Sequence, residues 1–265
     1  MVSAGARWTS LPAFSIGIQV APSTPDPASR AIERMAFICG CGHSGTTLAA
    51  TMLSQHPRLY VPLYESEAFL EDGLAAQRLA KLVAEASAAG KTMIVEKTPR
   101  HIRKVDAIRR AIPGARFVVL VRDGRDVTAS IAQRYPGDFA HGIARWVFDN
   151  RIALSLRGSA DALIVRYEDI VVDPAREMTK VCAFLGVAYD DALLKYHERP
   201  HLWYGEKDVR RTSGVAHEHE SFRNWQVNQP IFDGRGRWKR DLPQEIAAEF
   251  GRGDAAVLMT AFGYD

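Results

Sequence analysis

Short apolar runs alternate with longer segments of helical character along most of the chain. The apolar runs cover residues 35–39, 92–96, 115–121 and 162–167, and they have the length and composition of buried strands. The segments between and after them have helical composition or spacing, and they cover residues 46–55, 67–89, 100–111, 126–134, 143–156 and 174–185. Because alternating strands and helices are joined by crossovers, the pattern predicts a parallel sheet with helices on both faces.

The same pattern predicts how the chain is divided. Residues 1–34 hold four prolines and an apolar piece, residues 11–20, that polar residues interrupt, so they are interpreted as a flexible leader rather than a secretory signal. Residues 35–265 are predicted to form one domain. Within it, residues 205–239 mix Arg, His, Gly and Trp without a strand pattern, which predicts a loop-rich C-terminal cap.

The composition narrows the classes of function. With 265 residues, 47% hydrophobic and 25% charged, the chain is typical of a globular domain with a buried core. A net charge of +3 is too small for a nucleic-acid-binding surface, although clustered Arg and Lys suit a small polyanion. The three cysteines, including Cys39 and Cys41, make neither a disulfide framework nor a four-ligand metal site, which favours a reducing, cytoplasmic location. No apolar run reaches about 18 residues, so no membrane-spanning helix is predicted.

A glycine-rich loop follows the first predicted strand. Gly40 and Gly45 have the spacing of the nucleotide-binding P-loop, but Thr46 stands where a nucleotide triphosphatase carries Lys. The fold is therefore predicted to be a doubly wound α/β sheet of the P-loop type. Backbone N–H groups of residues 42–47, at the positive end of a helix, are suited to a terminal phosphate, and the Thr46 and Thr47 hydroxyls can donate as well.

A second phosphate site is predicted after the third of the four apolar runs. Arg122 ends this run and Ser130 lies two helical turns further on, so a guanidinium and a hydroxyl can converge on one phosphate. Arg125 and Asp126 are interpreted as a solvated pair in the turn. Asp123 superficially resembles the magnesium-binding acid of a triphosphatase, but the missing Lys argues against that class. Two phosphate sites on one sheet edge indicate a nucleotide phosphorylated at two places.

With these motifs in order, the chain resembles the sulfotransferases that use 3′-phosphoadenosine 5′-phosphosulfate (PAPS). Gly42, His43, Ser44, Gly45, Thr46 and Thr47 resemble the family's 5′-phosphosulfate loop, and Arg122 with Ser130 resembles its clamp for the 3′-phosphate. Further similarities are found at residues 165–170, 173–174, 184–186 and 236–239, so the likeness spans about residues 35–242. It implies sulfuryl transfer from PAPS to a hydroxyl or amine, with adenosine 3′,5′-bisphosphate (PAP) as product and no metal.

The resemblance also implies catalytic roles. Lys97, at the end of a neighbouring strand, is similar to the family Lys that reaches the sulfate. Family members usually carry Lys or Arg where this chain has His43, whose imidazole, when protonated, is able to donate to the bridging oxygen or simply fills a loop position. Glu65 is preferred as the base that deprotonates the acceptor, with Glu67 as the other candidate.

The remaining assignments concern the nucleotide and the acceptor. Tyr167 and Trp238 are expected against the adenine, and Arg237 and Lys239 beside the 3′-phosphate. The pair His217 and His219 is interpreted as part of a solvated loop, because no third metal ligand accompanies it.

Two other classes of function stay open, a P-loop kinase or triphosphatase and a catalytically silent nucleotide-binding module. The acceptor is left open among carbohydrate, lipid, peptide tyrosine and small natural product.

Overall fold

Five parallel strands form the central sheet in the order β2-β3-β1-β4-β5. The strands are β1 (Arg34–Gly40), β2 (Leu59–Tyr60), β3 (Met93–Lys97), β4 (Arg116–Val121) and β5 (Ala162–Arg166). The predicted parallel sheet is confirmed, and the bounds of its four predicted strands differ by at most one residue at either end. Strands β1 and β4 are almost wholly buried, which explains their continuous apolar runs.

The computed structural model describes residues 34–199, 201–203, 209–212 and 215–264. Apart from Arg34, which begins β1, the segment interpreted as a leader lies outside these residues. The α-helices are α1 (Thr46–Leu53), α2 (Ala75–Ala88), α3 (Val105–Ala111), α4 (Gly124–Arg134), α5 (Phe139–Ser155), α6 (Tyr167–Val172), α7 (Pro174–Leu185), α8 (His219–Val227), α9 (Trp238–Asp241), α10 (Gln244–Ala248) and α11 (Gly253–Phe262). Shorter 3₁₀ segments cover residues 99–104, 191–198, 216–218 and 249–251.

Helices cover both faces of the sheet, as the crossovers predict. On one face Phe37 and Phe117 pack with α2, α5 and α11, and on the other Ile38 and Val118 pack with α1 and α7. Alternate residues of each central strand therefore contribute to two separate cores. The structure thus has the three-layer α/β architecture in which ligands bind beyond the carboxyl ends of the strands.

The helix predicted over residues 67–89 is wrong at its start. Helix α2 begins only at Ala75, and Glu67 has a left-handed backbone with φ of 51°. The reason is tertiary, since the backbone N–H groups of Ser66 and Glu67 donate to the side chains of Glu96 and Thr98 on and after β3. These bonds hold the segment against the sheet instead of letting it continue as a helix.

The cap region also contains regular structure. Helix α8 lies within residues 205–239, and its Asn224 and Val227 are buried. Val227 joins the same core as Met52 of α1. The described part of the cap is therefore attached to the helix that follows the glycine-rich loop.

Candidate active site

The glycine-rich loop connects β1 to α1 and has an unusual backbone. Gly40, His43 and Gly45 all have positive φ, of 135°, 72° and 88°. Gly45 is the residue before α1, so the loop directs its backbone N–H groups and those of the first helical turn to one place. Ser44 is fully buried, and its hydroxyl has no hydrogen-bond partner within the described residues. A buried orphan hydroxyl at a helix N-terminus suits the oxygens of a bound phosphate.

The two inner glycines of the loop make room for other side chains. A Cβ atom at Gly42 would lie 2.3 Å from Nη2 of Arg145, and one at Gly45 would lie 2.7 Å from Cδ2 of Tyr167. Gly42 therefore admits a guanidinium from α5 behind the loop, a neighbour that sequence reasoning missed. No local motif signals it, because the contact depends on how α5 packs.

His43 links the two predicted phosphate sites. Its Nδ1 lies 2.9 Å from Oγ of Ser130 on α4, and its carbonyl oxygen accepts from Nη1 of Arg122 at 3.3 Å. The structure therefore brings the residue that departs from the family pattern to the second site as well as to the loop. Its part in sulfuryl transfer stays a prediction.

Arg122 lies at the centre of the second site and is almost completely buried. Its Nη2 donates to the Gly234 carbonyl oxygen at 2.6 Å, and its guanidinium stacks 4.1 Å above the ring of Tyr167. The predicted 3′-phosphate residue and the predicted adenine neighbour are thus in direct contact. Together they join α4, α6 and the loop that precedes α9.

Asp126 was expected in a solvated turn, and this expectation is wrong. Its carboxylate is 1% exposed, accepts from the backbone N–H groups of Gly236 and Trp238, both at 2.9 Å, and faces Arg122 at 3.8 Å. Burial raises the pKa of Asp126, and the Arg122 charge and the two N–H groups only partly offset it. The available signal was its position in the first turn of α4, four residues after Arg122.

The predicted late loop lies over this second site. Arg237 donates to Gln133 and Asp241, and the ring of Trp238 has the Arg125 guanidinium 4.4 Å above its centre. A cavity of about 1090 Å³ opens here. Of the predicted residues, it is lined by His43, Gly45, Thr46, Thr47, Arg122, Ser130, Tyr167, Arg237 and Lys239. Gly42, Ser44, Trp238, Glu65 and Lys97 do not line it.

Glu65 and Lys97 form an ion pair at the end of β3. Nζ of Lys97 lies 2.7 Å from Oε1 of Glu65, and the lysine is fully buried whereas the Glu65 side chain is 31% exposed. Burial lowers the pKa of Lys97, with the Glu65 carboxylate acting in the opposite direction. A carboxylate that solvent reaches is thus held beside a cation that solvent does not reach.

Glu96 fixes the backbone next to this pair and was not predicted. Its buried carboxylate accepts from the N–H and hydroxyl of Ser66, from Thr98 at 2.6 Å and from Nδ1 of His101 at 2.8 Å. Burial raises the pKa of Glu96, but the bonds from His101, Thr98 and Ser66 outweigh it, so the net direction is downward. Glu67 accepts instead from Arg100 at 2.6 Å. This arrangement directs Glu65, rather than Glu67, to Lys97.

Within the described ranges, no group of three or more His, Cys, Asp or Glu side chains is placed to hold a metal ion. His217 is exposed and lies 4.0 Å from Glu218, while His219 begins α8. No helix in the described part of the chain is long and apolar enough to cross a bilayer.

We expect Asp126→Asn to weaken PAP binding by about 5- to 150-fold, equivalent to the roughly 1–3 kcal/mol that an unsatisfied buried group costs. The amide keeps one acceptor oxygen but turns an NH₂ group towards one of the two N–H donors. Titration calorimetry with PAP measures the change. Asp233→Asn is the matched control, since this carboxylate is exposed and pairs with Arg235 on the same loop. Equal affinities for wild type and Asp126→Asn would contradict the anchoring role.

Comparison with known proteins finds a protein family that matches part of this chain. A family model described as "Sulfotransferase family" matches residues 63–191. The match covers just under half of the chain, and the matched region is similar to this sulfotransferase family. The matched region contains Glu65, Lys97, Arg122, Ser130 and Tyr167, and it leaves out the glycine-rich loop and the cap.

Curated relatives are similar over part of their length. The chain is 23% identical over 183 residues to protein-tyrosine sulfotransferase A of Caenorhabditis elegans, which covers 65% of this chain and 45% of the relative. It is 22% identical over 268 residues to the Drosophila melanogaster protein-tyrosine sulfotransferase, at 86% and 51% coverage. It is 28% identical over 223 residues to the nodulation protein NoeE of Sinorhizobium fredii, at 62% and 53%. The chain thus spans about half the length of these relatives.

Solved sulfotransferase structures share the fold. The sulfotransferase domain of the Synechococcus PCC 7002 olefin synthase matches with a TM-score of 0.53 at 22% identity, covering 92% of this chain and 98% of that domain. A mouse sulfotransferase complexed with PAP matches with a TM-score of 0.53 at 15% identity, covering 87% and 85%. At these identities the likeness establishes the sulfotransferase fold.

Proposed function

We propose that this protein transfers a sulfuryl group from PAPS to a hydroxyl or amine acceptor and releases PAP. The observation that carries the proposal is the Glu65–Lys97 pair, in which a partly exposed carboxylate and a buried ammonium are 2.7 Å apart. Both lie at the carboxyl edge of the sheet, next to a phosphate loop without the triphosphatase Lys. The sulfotransferase family match and the solved structure with PAP support the same donor.

The residues of the site fit a donor with two phosphates. The 5′ end would be held by the loop N–H groups, by the orphan Ser44 hydroxyl and by Thr46 and Thr47. The 3′-phosphate would be held by Arg122 and Ser130, which line the same cavity as the loop. A cavity of about 1090 Å³ is slightly larger than the roughly 300–1,000 Å³ usual for ligand sites, so it has room for an acceptor as well.

The transfer itself needs one proton acceptor and preorganised positive charge. Glu65 takes the acceptor proton while the acceptor oxygen or nitrogen bonds to sulfur, and the bond between sulfur and the 5′-phosphate oxygen breaks. The electron pair of that bond stays on the phosphate oxygen, where Lys97 and the loop N–H groups stabilise the charge. Holding donor and acceptor in line accounts for much of the remaining acceleration.

Ligand-dependent stability tests the donor against the triphosphate alternative. We expect PAP at 100 times its Kd to stabilise the protein by about 2.7 kcal/mol, and ATP with Mg²⁺ to have little effect. Differential scanning fluorimetry measures both. Stabilisation by ATP with Mg²⁺ alone would contradict the proposal, and stabilisation by PAP without turnover of labelled PAPS would favour a silent binding module.

The acceptor is the part of the proposal that relatives inform most. Because several relatives are named protein-tyrosine sulfotransferases, peptide tyrosine is the first acceptor to screen, followed by carbohydrates, lipids and small natural products. The class of compound that receives label from PAPS is the acceptor class.

The buried free thiols of Cys39, Cys41 and Cys182 support a reducing compartment such as the cytoplasm.

A further inference from the structure

The ammonium of Lys97 lies under an indole from outside the matched family region. Nζ of Lys97 is 4.4 Å from the centre of the Trp203 ring, and the two residues are 0% and 1% exposed. Trp203 therefore covers the side of the lysine that the ion pair with Glu65 does not occupy. A cation over a desolvated indole face is attracted by the ring quadrupole.

The indole is held in this position by two other elements. Its Nε1 donates to Oγ1 of Thr51 on α1 at 3.0 Å, and its backbone N–H donates to Oδ1 of Asn224 on α8 at 2.8 Å. Thr51 and Asn224 are both fully buried. Because the indole N–H and the backbone N–H of Trp203 are both bonded to buried partners, the residue is held in one position, so the face that the ring presents to Lys97 is fixed too.

The bond to Thr51 continues into the phosphate loop helix. The Thr51 hydroxyl accepts from Trp203 and donates to the Thr47 carbonyl oxygen at 2.8 Å. Thr47 belongs to the first turn of α1 and lines the cavity. A continuous path of hydrogen bonds and ring contact thus runs from the donor-binding turn through Thr51 and Trp203 to Lys97.

The charges around Lys97 show why its coverage by the Trp203 ring matters. Among the residues that the structure describes, the charged groups that act on it are the carboxylates of Glu65 and Glu96 and the guanidinium of Arg223, which also lines the cavity. Two carboxylates attract the ammonium and one cation repels it, so water entering the site would allow several positions for a long, flexible side chain. Excluding water also strengthens the interactions of Lys97 with developing charge.

We propose that Trp203 is a positioning residue for sulfuryl transfer, which fixes Lys97 relative to the donor-binding turn of α1 and excludes water from the Lys97 ammonium. This inference rests on the proposed function. A ring that only filled the core would need a partner for its buried N–H, but it would not need the contact with the ammonium. The role makes the cap a contributor to catalysis, because Asn224 on α8 of the cap holds the backbone of Trp203.

The test compares Trp203→Leu, which removes the ring, with Trp203→Phe, which keeps a ring but lacks the N–H donor. We expect Trp203→Leu to lower kcat by about 100-fold, the scale of a misplacement of roughly 1 Å, with KM for PAPS changed much less. We expect Trp203→Phe to lower kcat by about tenfold or less. Phe262→Leu, a ring removed from the core on the other face of the sheet, is the control for lost packing alone.

Two further measurements separate positioning from stability. Because burial lowers the pKa of Lys97, hydrating it in Trp203→Leu raises that pKa, so the alkaline limb of kcat moves to higher pH. Labelling with an amine-reactive reagent, read by mass spectrometry, is expected to leave Lys97 protected in wild type and Phe262→Leu but modified in Trp203→Leu.

The outcomes are distinguishable. If wild type turns over PAPS and a folded Trp203→Leu keeps its kcat, its alkaline limb and a protected Lys97, the inference is wrong while the function stands. Should Trp203→Leu fail to fold, Trp203→Phe with unchanged kcat and pH profile would overturn it equally. If wild type transfers no sulfuryl group, the proposed function and the catalytic part of the inference both fail, and labelling then reports only whether Trp203 shields Lys97.

Discussion

Glu65→Gln is expected to lower kcat for sulfuryl transfer by about 10²- to 10⁴-fold, the range that a general base contributes. The amide cannot take the acceptor proton, and it also removes the negative partner that lies 2.7 Å from Nζ of Lys97. The buried ammonium is then left facing Arg223 with less compensation. Single-turnover measurements with saturating PAPS report the chemical step directly.

The matched control is Glu67→Gln, two residues further along the chain. Glu67 accepts from Arg100 at 2.6 Å, so its substitution removes an ion pair at a partly exposed site away from Lys97. We expect a change in kcat of less than about threefold from a loss of this kind. A large loss in Glu67→Gln together with a small loss in Glu65→Gln would reverse the assignment of the base.

The pair can also be tested as a unit. Lys97→Met alone should cost about 10²- to 10³-fold in kcat, as expected when a preorganised donor to the transition state is removed. Since Glu65 and Lys97 contact each other, the double variant should lose much less than the product of the two single losses. Fully multiplicative losses would indicate that the two residues act independently.

Gly40→Ala is expected to abolish folding, the largest effect on stability that we predict. Gly40 has φ of 135°, and a Cβ atom there would lie 2.2 Å from the carbonyl oxygen of Leu120. Leu120 is its register partner on β4, so the clash is between two backbones inside the sheet, where neither can move alone. The backbone strain of about 1–3 kcal/mol and an overpacking cost of about the same size or more are a large share of a typical domain stability of roughly 5–15 kcal/mol.

Circular dichroism and thermal unfolding measure this effect. Gly90→Ala is the matched control, because Gly90 also has a positive φ, of 65°, but a Cβ atom there meets no atom within 4 Å. We expect this control to fold with a Tm lowered by only a few degrees, in line with a cost of about 1 kcal/mol. A stable, native-like Gly40→Ala protein would mean that β1 and β4 separate at this point more easily than the geometry indicates.

The strand bounds and the order of the motifs were predictable because each is encoded within a few consecutive residues. The apolar run of β4, for example, needs no information beyond residues 115–121 to be identified as a buried strand. The wrong start of α2 shows the limit. Residues 67–74 carry one local signal against a helix, the turn dipeptide Asp72-Gly73, but at residue 67 the bonds from Ser66 and Glu67 to Glu96 and Thr98 decide the conformation.

The features of the candidate site also fall into two groups, those encoded in a few consecutive residues and those that depend on tertiary packing. That a glycine-rich loop follows β1 and that Lys97, Arg122 and Tyr167 lie at the carboxyl ends of β3, β4 and β5 was predictable from the sequence alone, since parallel strands bring these ends to one edge. That Asp126 anchors the loop at Gly236, and that Trp203 reaches Thr51 from 152 positions away in sequence, was decided by the tertiary structure. Such contacts depend on how whole elements pack, and neither hydrophobic period nor motif spacing in a single chain carries that information.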